Sequence, residues 1–233
     1  MQAKNIWPKE PPKLSAEQRV AREQFVQKWL ELLPKRYAAF ERFNQGWVAK
    51  LPHAVGSKTL EIGAGLGEHI AYENLKDQEY YCLDLRQPFC ELLALKMPKR
   101  LVICGDIQTG LPLEDHFFDR ILTIHVLEHL PNLPSALLEV KRLLKPNGVF
   151  DVVIPCEGGW AYTLGRKLSA ERFFEKTFKM SYEPIIKSEH INNYREIMEL
   201  LREHFHIEKA KYYPLAVPIC TLNLAVGLRL RIK

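Results

Sequence analysis

The chain has no long apolar run. Its most apolar late stretch, residues 215–228, falls short of the roughly 20 residues that a bilayer-spanning helix requires, so no membrane span is expected. Residues 1–13 are polar and proline-rich and lack the apolar segment of a secretory signal; the expected location is the cytoplasm. Cysteine is sparse. The five, Cys82, Cys90, Cys104, Cys156 and Cys220, are odd in number and far apart, with no CxxC pair. That argues against a zinc site and fits buried thiols in a reducing compartment. No block of one charge occurs either. Lys and Arg total 33 against 28 Asp and Glu, a net charge of +5, and the most basic stretch, 96–100, is interrupted by apolar residues. Nucleic-acid binders gather basic residues on one face or stripe, so a nucleic-acid partner is not expected. Glycine is scarce as well, 12 in 233 residues, yet three fall within five positions, at Gly63, Gly65 and Gly67.

What is present is the balance of a globular chain, 47% apolar and 26% charged, long enough for one α/β domain over 1–233. Pro8, Pro11 and Pro12 predict a flexible tail over 1–13. Ser15 is a candidate cap for a helix to about residue 33, with Phe25, Trp29, Leu32 and Leu33 at helical spacing, broken by Pro34. A second helix is expected over 37–51. This pair over 14–57 suits either a lid or a cover for the sheet edge. From 58 onward short apolar runs (59–62, 80–83, 101–104, 120–124, 149–154) alternate with helical stretches (68–75, 89–96, 133–144). That alternation predicts a parallel sheet with helices on both faces. Residues 155–188 hold no clean strand but carry Trp160, Tyr162, Phe173, Phe174, Phe178 and Tyr182. A helix over 194–205 and strands over 206–212 and 222–232 complete the chain.

The first strand runs into Leu60-Glu61-Ile62-Gly63-Ala64-Gly65-Leu66-Gly67-Glu68. Glycines allow a tight strand-to-helix turn and let a ligand approach the backbone, and the helix predicted after it would offer free N–H groups. A dinucleotide loop, GxGxxG, needs glycine at position 68, where Glu68 stands. Glu61 would repel a pyrophosphate and suit a cation. S-adenosylmethionine carries a sulfonium and an ammonium and no phosphate, so charge favours it over NAD. Asp84 lies 21 positions after Gly63, at the end of the second strand, where a carboxylate can accept from ribose hydroxyls. Asp106 follows the third strand and could meet an adenine amino group, with Ile107 against the ring.

The ordered segments LEIGAGLGE, YYCLDL, GDI, FDRILTIHVLEHLPN and LLKPNGVF together resemble the class I S-adenosylmethionine-dependent methyltransferases, in particular the type 11 group related to quinone-biosynthesis methyltransferases. The resemblance covers about residues 58–155. It implies a Rossmann-like three-layer sandwich whose seven-stranded, mostly parallel sheet ends on an antiparallel strand. It also implies Gly63, Ala64 and Gly65 at the methionine moiety, Asp84 at the ribose, Asp106 and Ile107 at adenine, and His125 against the cofactor. Glu61, Gly67 and Leu85 complete the expected cofactor set. The stretch over 156–233 departs from the pattern as an insert followed by C-terminal strands, and no substrate motif is recognised.

Methyl transfer is an in-line displacement on an already activated carbon, so alignment and desolvation carry much of it; a base is needed only for a protonated acceptor. Candidates are His125, Glu128, His129, Glu157, Glu189 and His190. The favoured catalytic set is His190, with Glu189 adjacent to raise its basicity, and His129. His125 and His129 form an HxxxH pair with no evident third ligand, so no metal is assigned. Cys156 beside Glu157 reads as a packed thiol lining the pocket, not a nucleophile. Residues 124–127 lack the Asp/Asn-Pro-Pro-aromatic motif of enzymes that methylate exocyclic base amines. The expected acceptor is a small molecule in an apolar pocket under the N-terminal helices and the aromatic insert. RNA or protein methylation and non-catalytic cofactor binding are the alternatives. Neither the acceptor atom nor the oligomeric state is written in any motif.

Overall fold

The computed structural model describes residues 7–233. Seven strands form one sheet: β1 (Ser57–Ile62), β2 (Gln78–Asp84), β3 (Val102–Cys104), β4 (Phe118–Ile124), β5 (Leu144–Pro155), β6 (Phe205–Tyr213) and β7 (Ala225–Ile232), in the order β3-β2-β1-β4-β5-β7-β6. β7 alone runs antiparallel to its neighbours, β5 and β6. The strand order and the flanking helices are those of the expected Rossmann-like sandwich. One face buries Leu60, Ile62, Leu83, Ile121, Phe150 and Leu228 under α4 (Leu133–Leu143) and α8 (Tyr194–His204). The other buries Tyr80, Cys82 and Leu122 under α2 (Ala38–Ala49) and α3 (Gln87–Lys96). Strand alternation explains the split, since successive side chains point to opposite faces.

Four local readings are corrected. The helix expected over 68–75 is a single 3-10 turn, His69–Tyr72. His69 and Glu73 turn inward, with Nδ1 of His69 3.0 Å from Gln45 Oε1 and Nε2 2.9 Å from Glu73 Oε1, which stops the chain from continuing as a helix. The first helix, α1, runs over Ala16–Arg36, through Pro34. A proline in the last turn removes only one backbone hydrogen bond. Its start is as expected: Ser15 Oγ accepts from Gln18 N–H at 3.2 Å, and Gln18 Oε1 accepts from Ser15 N–H at 2.9 Å.

The tail is also corrected from residue 7 onward; residues 1–6 lie outside the described residues. Trp7 packs against the main core. Lys9 donates from N–H to Pro131 O at 2.8 Å and from Nζ to Ile191 O at 3.0 Å, and pairs with Glu196 at 2.8 Å. A polar segment is ordered here because Lys9 finds three oxygens, two at its ammonium and one at its backbone N–H.

Finally, most aromatics of the insert do not wall a pocket. The insert forms α5 (Trp160–Arg166), a π turn, α6 (Arg172–Phe178) and α7 (Glu183–Glu189). Phe174, Tyr182 and Ile185 are buried with Phe25 and Ala21 of α1 in a separate core. Phe25 stacks on Trp29 at 5.6 Å and meets Phe174 edge-on at 5.4 Å. Trp160 is 68% exposed. Only Tyr162 of this group points to the polar cluster described below.

Candidate active site

The glycine loop closes over the carboxyl end of β2. Gly63 and Ala64 donate to Leu83 O at 2.8 and 3.0 Å, and Gly65 donates to Asp84 Oδ2 at 2.9 Å. Gly63 and Gly65 have φ of +74° and +56°, the left-handed region that favours glycine. A Cβ at Gly63 would stand 2.4 Å from Val126 Cγ2, so the turn after β4 packs directly on the loop; at Gly65 the nearest atom would be Glu68 Oε2, at 3.5 Å. Asp84 is 3% exposed and accepts at Oδ1 from Arg86 N–H at 2.9 Å and Nε at 3.1 Å. The open point of the loop is thus Gly65, flanked by the carboxylates of Asp84 and Glu68. That surround suits an ammonium and hydroxyls, not a pyrophosphate.

Glu61 does not contribute as its sequence position suggested. It is buried and accepts from Tyr80 OH at 2.9 Å. Burial pushes its carboxyl up to about 8, with Tyr80 opposing and Glu73 adding to the rise, so it is mostly neutral at pH 7. The negative charge near the loop comes from Glu68 instead. Leu85 is exposed, Asp106 accepts from Gln108 N–H at 2.9 Å, and Ile107 is buried in the main core.

After β4 the chain turns sharply at His125, φ +54°, which donates N–H to Val153 O at 2.9 Å. Its Nδ1 lies 3.1 Å from Glu128 Oε1. Burial alone would raise the Glu128 carboxyl, but the hydrogen bond and charge of His125 hold it at about 2. His125 and His129 do not share a face, because residues 127–129 form a 3-10 turn. His129 Nδ1 lies 2.7 Å from Glu189 O, and its ring centroid is 4.9 Å from that of His190. Burial moves His129 down.

The carboxylate that orients His190 is Glu157, not its neighbour Glu189. His190 Nδ1 is 2.5 Å from Glu157 Oε2 and 3.4 Å from Tyr162 OH. Burial alone would lower His190, and the Glu157 contact outweighs it, for a net rise. Glu189 instead pairs with Arg22 at 3.4 Å and supports His129 through its carbonyl. The two segments are locked by Asn192, fully buried, which donates to Leu127 O and Leu130 O, each at 2.8 Å. A pocket of about 370 Å³ opens beside them, lined by Lys9, Glu157, Tyr162, Arg166, His190 and Asn193 among others. Its lining is mainly polar, which corrects the expected apolar pocket: the aromatics went to the α1 core. Cys156 is buried and hydrogen-bonded with Cys220, which with burial keeps it a thiol. The carboxyl ends of β1, β4 and β5 are adjacent in the sheet. At about 4.8 Å per strand, the glycine loop and the residues after β5 lie roughly 10 Å apart.

Residues 60–152 match the family model described as a methyltransferase domain. The match takes in the central segment, less than half of the chain. A probable phthiotriol/phenolphthiotriol dimycocerosates methyltransferase of Mycobacterium ulcerans is 34% identical over 100 residues, 41% of this chain and 38% of that protein. The chain spans about two fifths of the length of that curated relative. Among solved structures, a Thermotoga maritima S-adenosylmethionine-dependent methyltransferase, possibly a histamine N-methyltransferase, has a TM-score of 0.63 at 21% identity, covering 91% of this chain and 99% of the other. The Burkholderia thailandensis 1,6-didemethyltoxoflavin-N1-methyltransferase, with substrate and S-adenosylhomocysteine bound, has a TM-score of 0.58 at 18% identity, covering 97% and 94%. These structures share the fold.

The methyltransferase domain segment holds the glycine loop, Asp84, Asp106, His125, Glu128 and His129. Glu157, Tyr162 and His190 lie beyond it, and Lys9 precedes it. Sequence reasoning missed Lys9 and gave neither Glu157 nor Asn192 a distant partner. Glu157 stands 33 positions from His190 and Lys9 182 from Ile191, so no local periodicity could have joined them.

Proposed function

We propose that this chain transfers the methyl group of S-adenosylmethionine to a small-molecule acceptor held beside His190. The observation that carries the reading is the glycine loop at the carboxyl end of β1, tied through Gly65 N–H to Asp84, in a segment that matches a methyltransferase domain. The methionine moiety lies over Gly63, Ala64 and Gly65, with Glu68 toward its ammonium and Gly67 closing the turn. Asp84 takes the ribose hydroxyls once the exposed Arg86 side chain gives way, with Leu85 beside it. Asp106 faces adenine, Ile107 and Glu61 support from the core, and His125 borders the sulfonium. On the acceptor side His190 and His129, oriented by Glu157 and Glu189, hold the reacting atom in line with the methyl group. Alignment of this kind supplies much of the rate in a displacement whose leaving group is already activated.

Support for a small acceptor comes from the size of the open pocket, about 370 Å³, and from the named acceptors of the relative and the Burkholderia structure. Among the described residues no helix is long and apolar enough to cross a membrane; we place the protein in the cytoplasm. The test is release of S-adenosylhomocysteine from purified protein and S-adenosylmethionine, screened over pooled metabolites and then fractionated extract. Acceptor-dependent release supports the proposal. Tight cofactor binding without release in any pool would favour a non-catalytic module.

A further inference from the structure

The geometry points to a divalent-metal site formed by Glu128, His129 and His190, opening on the pocket where the acceptor binds. One ligand atom from each of the three lies within 4.8 Å of the others. The two histidines are held as metal-binding imidazoles are held. Each commits Nδ1 to an oxygen behind it, His129 to Glu189 O at 2.7 Å and His190 to Glu157 Oε2 at 2.5 Å, which leaves Nε2 as a free lone pair. The third member supplies the independent sign. Glu128 has a side chain only 1% exposed; Oε1 meets His125, while Oε2 is buried with no partner among the described residues. An unpartnered buried carboxylate oxygen is unfavourable, and a cation resolves it.

Two imidazoles and a carboxylate suit a first-row ion such as Zn²⁺, Co²⁺ or Mn²⁺ and leave coordination positions open for substrate. Bonds of about 2.0–2.2 Å place donors roughly 3–3.5 Å apart, closer than the present spacing of up to 4.8 Å, so the three side chains would draw together around the ion. Of the three, His190 is the one that lines the pocket, so the ion would sit at the pocket wall, within reach of the acceptor. This deepens the proposed function and, for its chemistry, rests on it: the acceptor is a hydroxyl compound whose oxygen binds the ion. Coordination makes the hydroxyl easier to ionise, its proton leaving to solvent through the pocket. The oxygen then forms the new O–C bond as the S–C bond breaks, the electron pair returning to sulfur to give the neutral thioether.

The test strips the full-length protein with chelator and titrates it with Co²⁺, read by visible absorption and calorimetry, with folding checked by circular dichroism. One equivalent binds at micromolar or tighter dissociation constant. His190→Ala and His129→Ala each weaken it at least tenfold, and Glu157→Gln, behind the ligand, weakens it by roughly 10–100-fold. His53→Ala, remote from the site, leaves it unchanged. Absence of one-equivalent binding, or binding indifferent to His190→Ala, overturns the site. The readout is separate from activity. Co²⁺ binding with no methyl transfer upholds the site and counts against the activity, whereas transfer by protein that binds no Co²⁺ counts against the site and upholds the activity.

Discussion

Asp84 has two tasks in one carboxylate: it anchors the glycine loop through Gly65 and is proposed to take the ribose. Asp84→Ala is therefore expected to weaken S-adenosylmethionine by about 1–3 kcal/mol, the usual worth of hydrogen bonds to a charged group. Calorimetry checks this, and unchanged affinity would count against the assignment. Gly65 and Gly63 separate two kinds of glycine requirement. The space at Gly65 is open but its φ of +56° strains any side chain, so Gly65→Val is expected to fold with some loss of stability and to lose cofactor binding, because the side chain occupies the ligand's approach. Gly63→Ala is expected to destabilise the protein itself, since its Cβ meets Val126 at 2.4 Å; melting of the two variants distinguishes them. At this scale the loop and Asp84 were legible because short-range spacing encodes them. Glu61 was misread because its side-chain direction is set by the strand's alternation, which turns it toward Tyr80. Glu157 was invisible as a partner because its meeting with His190 depends on the return path of the whole insert.

At the scale of elements, α2 is fastened to the sheet by a buried ionic network that patterning does not announce. Arg120 Nε donates to Asp151 Oδ2 at 2.9 Å, Nη1 to Glu73 at 2.9 Å and Nη2 to Val48 O at 2.9 Å; Arg229 also pairs with Asp151, at 2.7 Å. Asp151→Asn leaves two buried guanidinium groups short of charge and should cost about 3–5 kcal/mol, measured by urea unfolding; a loss under about 1 kcal/mol would show the network to be dispensable. Its pH dependence has a definite sign. Burial opposes ionisation of Glu73, but His69 and Arg120 hold its carboxyl at about 2, below its ordinary value of 4.5. Its stabilisation is present above pH 4.5 and is lost as pH falls toward 2. Glu61 acts the other way. With its carboxyl raised to about 8, it costs stability increasingly between pH 4.5 and 8, so Glu61→Gln should gain on the native protein as pH rises from 5 to 8. Unfolding curves at both pH values decide it. Apolar runs made the strands legible, whereas the missing helix after β1 follows from this polar network, to which hydrophobic periodicity is blind.

For the whole molecule, the sheet brings the two halves of the proposed reaction to one edge. β1 and β2 present the cofactor loop and β4 and β5 the histidine–carboxylate cluster, while the N-terminal segment and the insert close the pocket from outside the matched domain. That division predicts separable effects. His190→Ala or Tyr162→Ala should lower turnover while leaving the dissociation constant for S-adenosylmethionine within about threefold, less than the roughly 1.4 kcal/mol of a tenfold change. Turnover equal to the native protein, or joint loss of binding and turnover, would relocate the acceptor. The central claim is that the loop serves S-adenosylmethionine. It is tested most directly by calorimetric titration of the purified protein with S-adenosylmethionine and, separately, with NADH. The account predicts one equivalent of S-adenosylmethionine bound, weakened by Asp84→Ala, and no binding of NADH; absence of S-adenosylmethionine binding, or preference for NADH, would contradict it.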